Sequence, residues 1–463
     1  MRRPAKPSLP WHMLPTIFAL AWPTMLEQLM QTAVQYVDTA MVGTLGTQAT
    51  AAVGSTTTVN WLVSSTISAV GVGFLAYISQ ACGAGQQERA KRAASQAVLA
   101  VLVLGLFFTA VTLGLSSQVP VWMQVDPAIQ KTAAVYFFIL YAPMLFRTAT
   151  IIFGTALRAV GDSKTPMMTG IWVNLTNVIL NTFLIFPSGP VEIWGFRFQF
   201  YGAGLGIVGA AVASAAAFVV GGIILTVKFF RHHIISPVGY SIKPDMEVLR
   251  PCLQVALPNC LQRFATSFGY VVFASMINSL GDVATAAHSI ANTVESAFYI
   301  PGYGMQTAAA TLAGNAWGAR DKYRIKELTR MILVIEVGLM ILSGGLLFAF
   351  APQMMGLFSK EQQVILLGAT VLRMVAISEP FYGVSIIIEG MMQGMGNTRL
   401  PLIFNIAGMW GIRIVGTFLC TQLMSMGLVS AWACMIGHNL LLFAAFTFLS
   451  STGRHIPKET TRS

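Results

Sequence analysis

The sequence predicts an all-α polytopic membrane protein: twelve transmembrane helices in two six-helix lobes related as parallel repeats. Three observations carry this reading. The composition is too apolar for water, the chain holds twelve apolar runs of spanning length, and its second half repeats the first. Of 463 residues, 55% are hydrophobic and 10% charged, with a mean hydropathy of +0.68. Soluble domains carry about 25% charged residues, which excludes a water-soluble enzyme or a disordered chain. A helix needs about 20 mostly apolar residues to cross the hydrocarbon core. Such runs fall at 14–43, 52–82, 94–117, 131–156, 166–186, 203–229, 250–279, 286–314, 328–351, 363–392, 401–424 and 426–449. Breakers such as Gly83-Ala84-Gly85, Ser188-Gly189-Pro190 and Gly318 separate them. A membrane β-barrel would show alternating segments of about ten residues, and these runs are longer and do not alternate.

The first run follows a basic Met1-Arg2-Arg3-Pro4-Ala5-Lys6 segment. It exceeds the apolar region of a signal peptide, contains Glu27 and Asp38, and has no small-residue cleavage site after it. It therefore reads as a retained span. Cys82, Cys252, Cys260, Cys420 and Cys434 lie in or beside apolar runs without metal spacing, as small buried side chains do.

The basic residues sort by loop parity. Of 28 Lys and Arg, 21 fall in the termini and the 2–3, 4–5, 6–7, 8–9 and 10–11 loops, and three in the other five loops. Arg147, Arg263, Arg373 and Arg413 lie inside spans. Positive-inside bias then places both termini in the cytoplasm of a multi-pass protein of the inner membrane. The net charge of +11 becomes topology charge, which removes nucleic acid as a partner.

Sliding the chain against itself by 235 residues aligns Pro23 with Pro258, Gly46 with Gly281, Gly83 with Gly318, Gly161 with Gly396 and Pro166 with Pro401. The offset needs no insertion over five helices, then shrinks to 221 at Gly206 and Gly427 because the segment after helix 5 is longer than its counterpart. Six spans per repeat give both halves one orientation, the parallel-repeat layout of a secondary transporter with a site between two lobes. The expected division is a cytoplasmic N-terminus at 1–13, an N-lobe at 14–229, a linker at 230–249, a C-lobe at 250–449 and a cytoplasmic tail at 450–463.

Charge inside the spans is the functional signal. Glu27, Asp38, Glu295, Glu336, Glu379 and Glu389 join the four arginines there. Ten unpaired charges would cost on the order of 30 kcal/mol, so most pair, face water or carry a proton. The acidic excess favours a cationic cargo. Glu27 and Asp38 lie about 20° apart around their helix and roughly 16 Å along it. Their counterparts in the other repeat are Gln262 and Phe273, and acidity confined to one copy points to function. Helix 5 presents Asn174, Asn177 and Asn181 at i, i+3 and i+7 on one face. These amides can orient a carboxylate, supply oxygens to Na⁺ or hold helices together; Ser214 offers a further oxygen. In the second half Arg263, Glu295, Glu379, Glu389 and Arg413 are read as substrate or gating groups, in competition with structural ion pairing. The 24 Met residues suit either an adaptable binding surface or lipid-facing filler.

Three segments then show a likeness to a known family. Asp38-Thr39-Ala40-Met41-Val42-Gly43 closes helix 1, with Gly46 and Ala51-Ala52 after it. Leu157-Arg158-Ala159-Val160-Gly161-Asp162-Ser163-Lys164-Thr165-Pro166 has its echo in Met392-Gln393-Gly394-Met395-Gly396-Asn397-Thr398-Arg399-Leu400-Pro401. Over essentially its whole length the chain resembles multidrug and toxic compound extrusion (MATE) transporters of the bacterial type. The resemblance implies two six-helix lobes around a central cleft and export driven by inward H⁺ or Na⁺. It implies that Asp38 is the coupling carboxylate, with Asn177 and Asn181 as its polar partners and a Na⁺ site at Asp38, Asn177 and Asn181; Ser214 joins this cation-coupling set as the further candidate oxygen read from the sequence. Members with a C-lobe cation site carry acids at positions matched here by Thr266 and Tyr382, which this chain lacks. The expected function is antiport of cationic or amphipathic organic compounds by a monomer in the lipid bilayer. No cofactor is expected beyond the coupling ion. The alternatives are a lipid-linked oligosaccharide flippase of the same superfamily and, from a different class, an intramembrane enzyme or receptor. Against the enzyme, the chain has no HExxH pattern; Glu27 and Asn174 are read, like Arg263, Glu295, Glu379, Glu389 and Arg413, as substrate or gating groups.

Overall fold

The computed structural model describes residues 10–123, 125–193 and 196–457. Among them are twelve long helical segments: α1 (Leu14–Gly43), α2 (Thr47–Gly83), α3 (Gln87–Gly114), α4 (Gln130–Tyr141 continued by Met144–Ala159), α5 (Lys164–Ile185), α6 (Gly206–Phe230), α7 (Met246–Asn278), α8 (Asp282–Gly318), α9 (Lys322–Phe358), α10 (Gln362–Gly394), α11 (Arg399–Leu423) and α12 (Leu428–Ser451). Eight of these described helices are long and apolar enough to cross a membrane, and α4 is a ninth when its halves, bent by 48°, count as one span. Pro143 stands at that bend and has no N–H to carry the helical ladder through. The remaining three, α1, α7 and α8, have 30, 33 and 37 residues. Their length suffices; Glu27 and Asp38, Arg263, and Glu295 dilute their hydropathy.

The repeat is visible in the helix boundaries themselves. The ends at 43 and 278, 83 and 318, and 159 and 394, and the starts at 47 and 282, 87 and 322, and 164 and 399, are all 235 apart. The turns match as well: Gly46 and Gly281 have φ of +106° and +104°, and Gly161 and Gly396 have +91° and +85°. These values lie where a side chain is strained, so glycine is required in both copies.

The segment between α5 and α6 is an antiparallel hairpin, β1 (Pro187–Ile193) and β2 (Phe196–Ala203), running in register from Gly189 opposite Phe200 to Ile193 opposite Phe196. The spans themselves are helical, and this hairpin in the connection is what shortens the repeat offset. Period-2 pairing over so few residues leaves no trace in a pattern read at spanning length.

The chain forms two compact units. One comprises Leu26–Phe74 and Gln87–Leu249. In it α6 packs on α5 and α4 through small residues. A Cβ on Gly209 would stand 2.4 Å from the Leu184 carbonyl oxygen, and one on Gly222 would stand 2.7 Å from that of Phe146. Backbones approach this closely only where side chains are missing, the usual basis of helix association in lipid. Phe153 stacks on Phe229 with ring centroids 4.3 Å apart. The segment after α6 is tied down here too: Arg92 of α3 donates to Asp245 at 2.5 Å and Glu247 at 2.8 Å, and Gln96 donates to the Lys243 carbonyl at 2.9 Å.

The second unit gathers residues 10–25, 75–86 and 250–457. Its centre is α10, flanked by α8, α9 and α12. Ile17, Leu20 and Ala21 of α1 bury against Met305, Ala309 and Ala313 of α8, and Thr24 donates to the Gly304 carbonyl at 3.1 Å. Methionines fill this unit's interior: Met305, Met331, Met340, Met355, Met391 and Met392 are all 0–1% exposed. For these six, neither the lipid-facing nor the binding-surface reading holds; flexible thioethers are packing between long helices.

Candidate functional site

In the first unit Asp38, near the end of α1, meets two of the three helix 5 amides. Asn181 Nδ2 donates to Asp38 Oδ1 at 2.6 Å. With its nitrogen turned to the carboxylate, Asn177 donates to the same oxygen at 2.7 Å while its own carbonyl accepts from Ser214 Oγ at 3.0 Å. That orientation satisfies both ends of the amide. The two asparagines are 5% and 1% exposed, so helix packing fixes them around a carboxylate that stays half-buried. The i, i+4 spacing of Asn177 and Asn181 on α5 puts both on the face that meets α1. Asn174, one turn earlier, is not brought in, and its Nδ2 finds no partner among the described residues.

The site offers one carboxylate and three neutral oxygen-bearing side chains, a set that suits a proton or a monovalent cation. Among the described residues no three His, Cys, Asp or Glu groups converge as ligands of a metal ion.

Glu27 does not join Asp38. Arg158, in the last turn of α4, places Nη2 2.7 and 2.6 Å from its two carboxylate oxygens. Sequence reading missed this partner because Arg158 falls at a span end and was assigned to the adjoining loop. It also missed a polar knot in the same unit. Arg147 donates to Asn60 and, at 2.6 Å, to Ser64, with its guanidinium 4.8 Å from the Phe218 ring centre. The i, i+4 pair Asn60 and Ser64 on α2 was the available signal.

In the second unit Glu389 accepts from Gln262 of α7 at 2.8 Å, Gln393 of α10 at 3.1 Å and Asn405 of α11 at 3.2 Å. Arg263 donates to Asn259 at 3.3 Å. Gln262 and Gln393 are the 235-offset counterparts of Glu27 and Arg158, so both repeats tie the first helix to the fourth at the same place. One tie is ionic and the other is made of amides around a carboxylate. Arg413 lies over the rings of Tyr270 and Phe273, 5.0 and 5.2 Å from their centres. Glu295 is buried nearby, while Glu379 and Glu336 are 1% and 0% exposed. Thr266 bonds back to the Gln262 and Arg263 carbonyls, at 2.9 and 3.1 Å.

Comparison with known proteins gives one family. The MatE family matches residues 23–183 and 258–419, one stretch in each repeat. A protein of Thermotoga maritima described as "Probable multidrug resistance protein NorM" is 26% identical over 420 residues, covering 91% of this chain and 88% of that protein. Another, "Probable multidrug resistance protein YoeA" of Bacillus subtilis, is 26% identical over 461 residues, with 97% and 96% covered. A solved outward-facing multidrug resistance MATE family transporter of the MOP superfamily superposes with a TM-score of 0.88 at 22% identity, over 96% of each chain. A MOP superfamily transporter from Pyrococcus furiosus, whose binding pocket is described as reversed in polarity, gives 0.86 at 22% identity over 95% of each chain. These structures share the all-helical twelve-span fold with this chain.

Proposed function

The chain belongs to the MatE family and is a multi-pass membrane efflux transporter, not an enzyme; from that premise we propose that it works as an antiporter. It exports cationic or amphipathic organic compounds in exchange for H⁺ or Na⁺, with Asp38 as the coupling carboxylate. The observation that supports this most is the pair of amides on Asp38, at 2.6 and 2.7 Å.

An amide presents a donor or an acceptor depending on which way it is turned. With both nitrogens inward, Asn177 and Asn181 stabilise ionised Asp38. With an oxygen inward, either one accepts from protonated Asp38 or helps coordinate Na⁺. The same three side chains therefore hold both the empty and the loaded carboxylate, and Ser214 follows the turn of Asn177. Loading removes the attraction between α1 and α5 that depends on charge, and this couples ion binding to rearrangement of the unit. One inward H⁺ supplies roughly 2.3 kcal/mol per 100 mV and about 1.36 kcal/mol per pH unit. An outgoing cation spends part of this against the same potential, so a cationic cargo is exported against a smaller gradient than a neutral one.

Ethidium efflux from reconstituted vesicles, with ΔpH and ΔNa⁺ imposed separately, tests the reading. At least one gradient is expected to accelerate efflux, and Asp38→Asn is expected to remove that acceleration while the protein stays in the membrane. Gradient-driven export by the Asp38→Asn variant at the unaltered rate would sink the assignment of Asp38.

A further inference from the structure

Taking antiport as given, we propose that the second unit carries a proton-binding site of its own, formed by Glu336 on α9 and Glu379 on α10 beside Glu295 on α8. Glu336 is 0% and Glu379 1% exposed. None of their four carboxyl oxygens has a hydrogen-bond partner among the described residues. Two glycines make room for Glu336: a Cβ on Gly302 of α8 would stand 2.8 Å from its Oε1, and one on Gly383 of α10 would stand 3.1 Å away. The carboxyl is thus pressed between two helix backbones. Pro301 and Pro380 interrupt these same helices, and a proline gives no N–H to the carbonyl four residues earlier. The carbonyls of Ala297 and Ala376 lose their helical donors in this way.

Charge balance points the same way. A bare carboxylate at this depth neutralises rather than bear the desolvation cost. From α11, Arg413 supplies the nearby cation. Its Nε and Nη1 have no hydrogen-bond partner among the described residues. One guanidinium compensates at most one of the three acids. The other titratable neighbours add no positive charge. His288 of α8 accepts at Nδ1 from Trp432 of α12 at 3.2 Å, as a neutral ring does. His438 of α12 is 5% exposed with both nitrogens unpartnered. Tyr299 and Tyr303 of α8 and Tyr382 of α10 form a ring cluster, with the Tyr303 and Tyr382 hydroxyls 3.0 Å apart. Tyr270 of α7 faces Arg413. Glu336 and Glu379 are left to be neutralised by protons.

The fold does not require acids here. The 235-offset counterparts are Val101 and Met144, 4% and 0% exposed in the other repeat. The site also differs in position from Thr266 and Tyr382. In the conformation described the two acids hold their protons. When water reaches α9 and α10 from the cytoplasm, each O–H passes its proton to that water and leaves a carboxylate, which takes a proton from the outside water once the unit has opened there.

The full-length protein in lipid, examined by infrared difference spectroscopy between mildly acid and mildly alkaline pH, tests this directly. Wild type and Asp38→Asn are both expected to show a protonated-carboxyl C=O band that Glu336→Gln/Glu379→Gln lacks. Persistence of the whole band in the double variant overturns the site. Glutamine matches the neutral acid in shape; should the double variant fail to fold, Glu379→Gln alone is read in the same way. In vesicles, H⁺ moved per ethidium exported is expected to fall by about a third in Glu379→Gln if Asp38 also carries H⁺, and by about half if Asp38 carries Na⁺; an unchanged ratio also counts against the site. If no gradient drives efflux in wild type the antiport reading fails, while the infrared band still decides whether these carboxyls hold protons.

Discussion

Glu27 and Arg92 both hold ion pairs, and their surroundings set what each is worth. The Glu27 and Arg158 side chains are 11% and 17% exposed. Removing one partner of a buried pair strands the other charge, at about 3–5 kcal/mol. Arg92 is 42% exposed and its partner Glu247 80%, and exposed pairs are worth about 0–1 kcal/mol. Thermal melts in detergent should therefore show a large drop for Glu27→Ala and a small one for Arg92→Ala; equal drops would contradict the contrast. The polar constellation at Asp38 was legible from sequence because its parts are local: an acid near a helix end and amides one turn apart. The pairing of Glu27 with Arg158 was not legible, because the helix face it shares with Asp38 says nothing of which other helix covers it.

At the scale of elements, the ends of α2 and α8 show how closely the repeat is built. A Cβ on Gly83 would stand 1.9 Å from the Asn315 carbonyl oxygen, and one on Gly318 would stand 1.9 Å from that of Gln80. The four positions form two pairs 235 apart, so the crossing repeats itself with the helices exchanged. Overpacking costs about 1–3 kcal/mol. Gly83→Ala and Gly318→Ala should each lower the melting temperature, and by similar amounts. Gly338→Ala, in α9 with nothing within 4 Å of its added methyl, should not lower it. A stable Gly83→Ala would show that the two helices separate at little cost. The paired glycines were readable as a repeat, but their contact was not, since close approach depends on the partner backbone.

For the whole molecule the open matter is orientation, and the split of basic residues between the two loop sets predicts it. In a background without the native cysteines, Asp126→Cys and Ser241→Cys lie in loops of opposite parity, and both positions are exposed. A membrane-impermeant maleimide applied to whole cells should label the first and spare the second. The reverse pattern would overturn the topology.

Composition, run length and loop charge were enough to set the class of protein, its twelve spans and its parallel repeat. Each is a sum over many residues or a distance along the chain, and such quantities survive without any knowledge of contacts. The tertiary structure alone decided that residues 10–25 and 75–86 pack with the second half, that Glu27 answers Arg158, that a hairpin separates α5 from α6, and that the Glu336 and Glu379 carboxyls find no hydrogen-bond partner among the described residues. Those outcomes turn on which backbone passes within a few ångströms of which side chain. In lipid, where apolar faces hardly discriminate between neighbours, glycines and buried polar groups set that choice, and their partners lie far away in sequence.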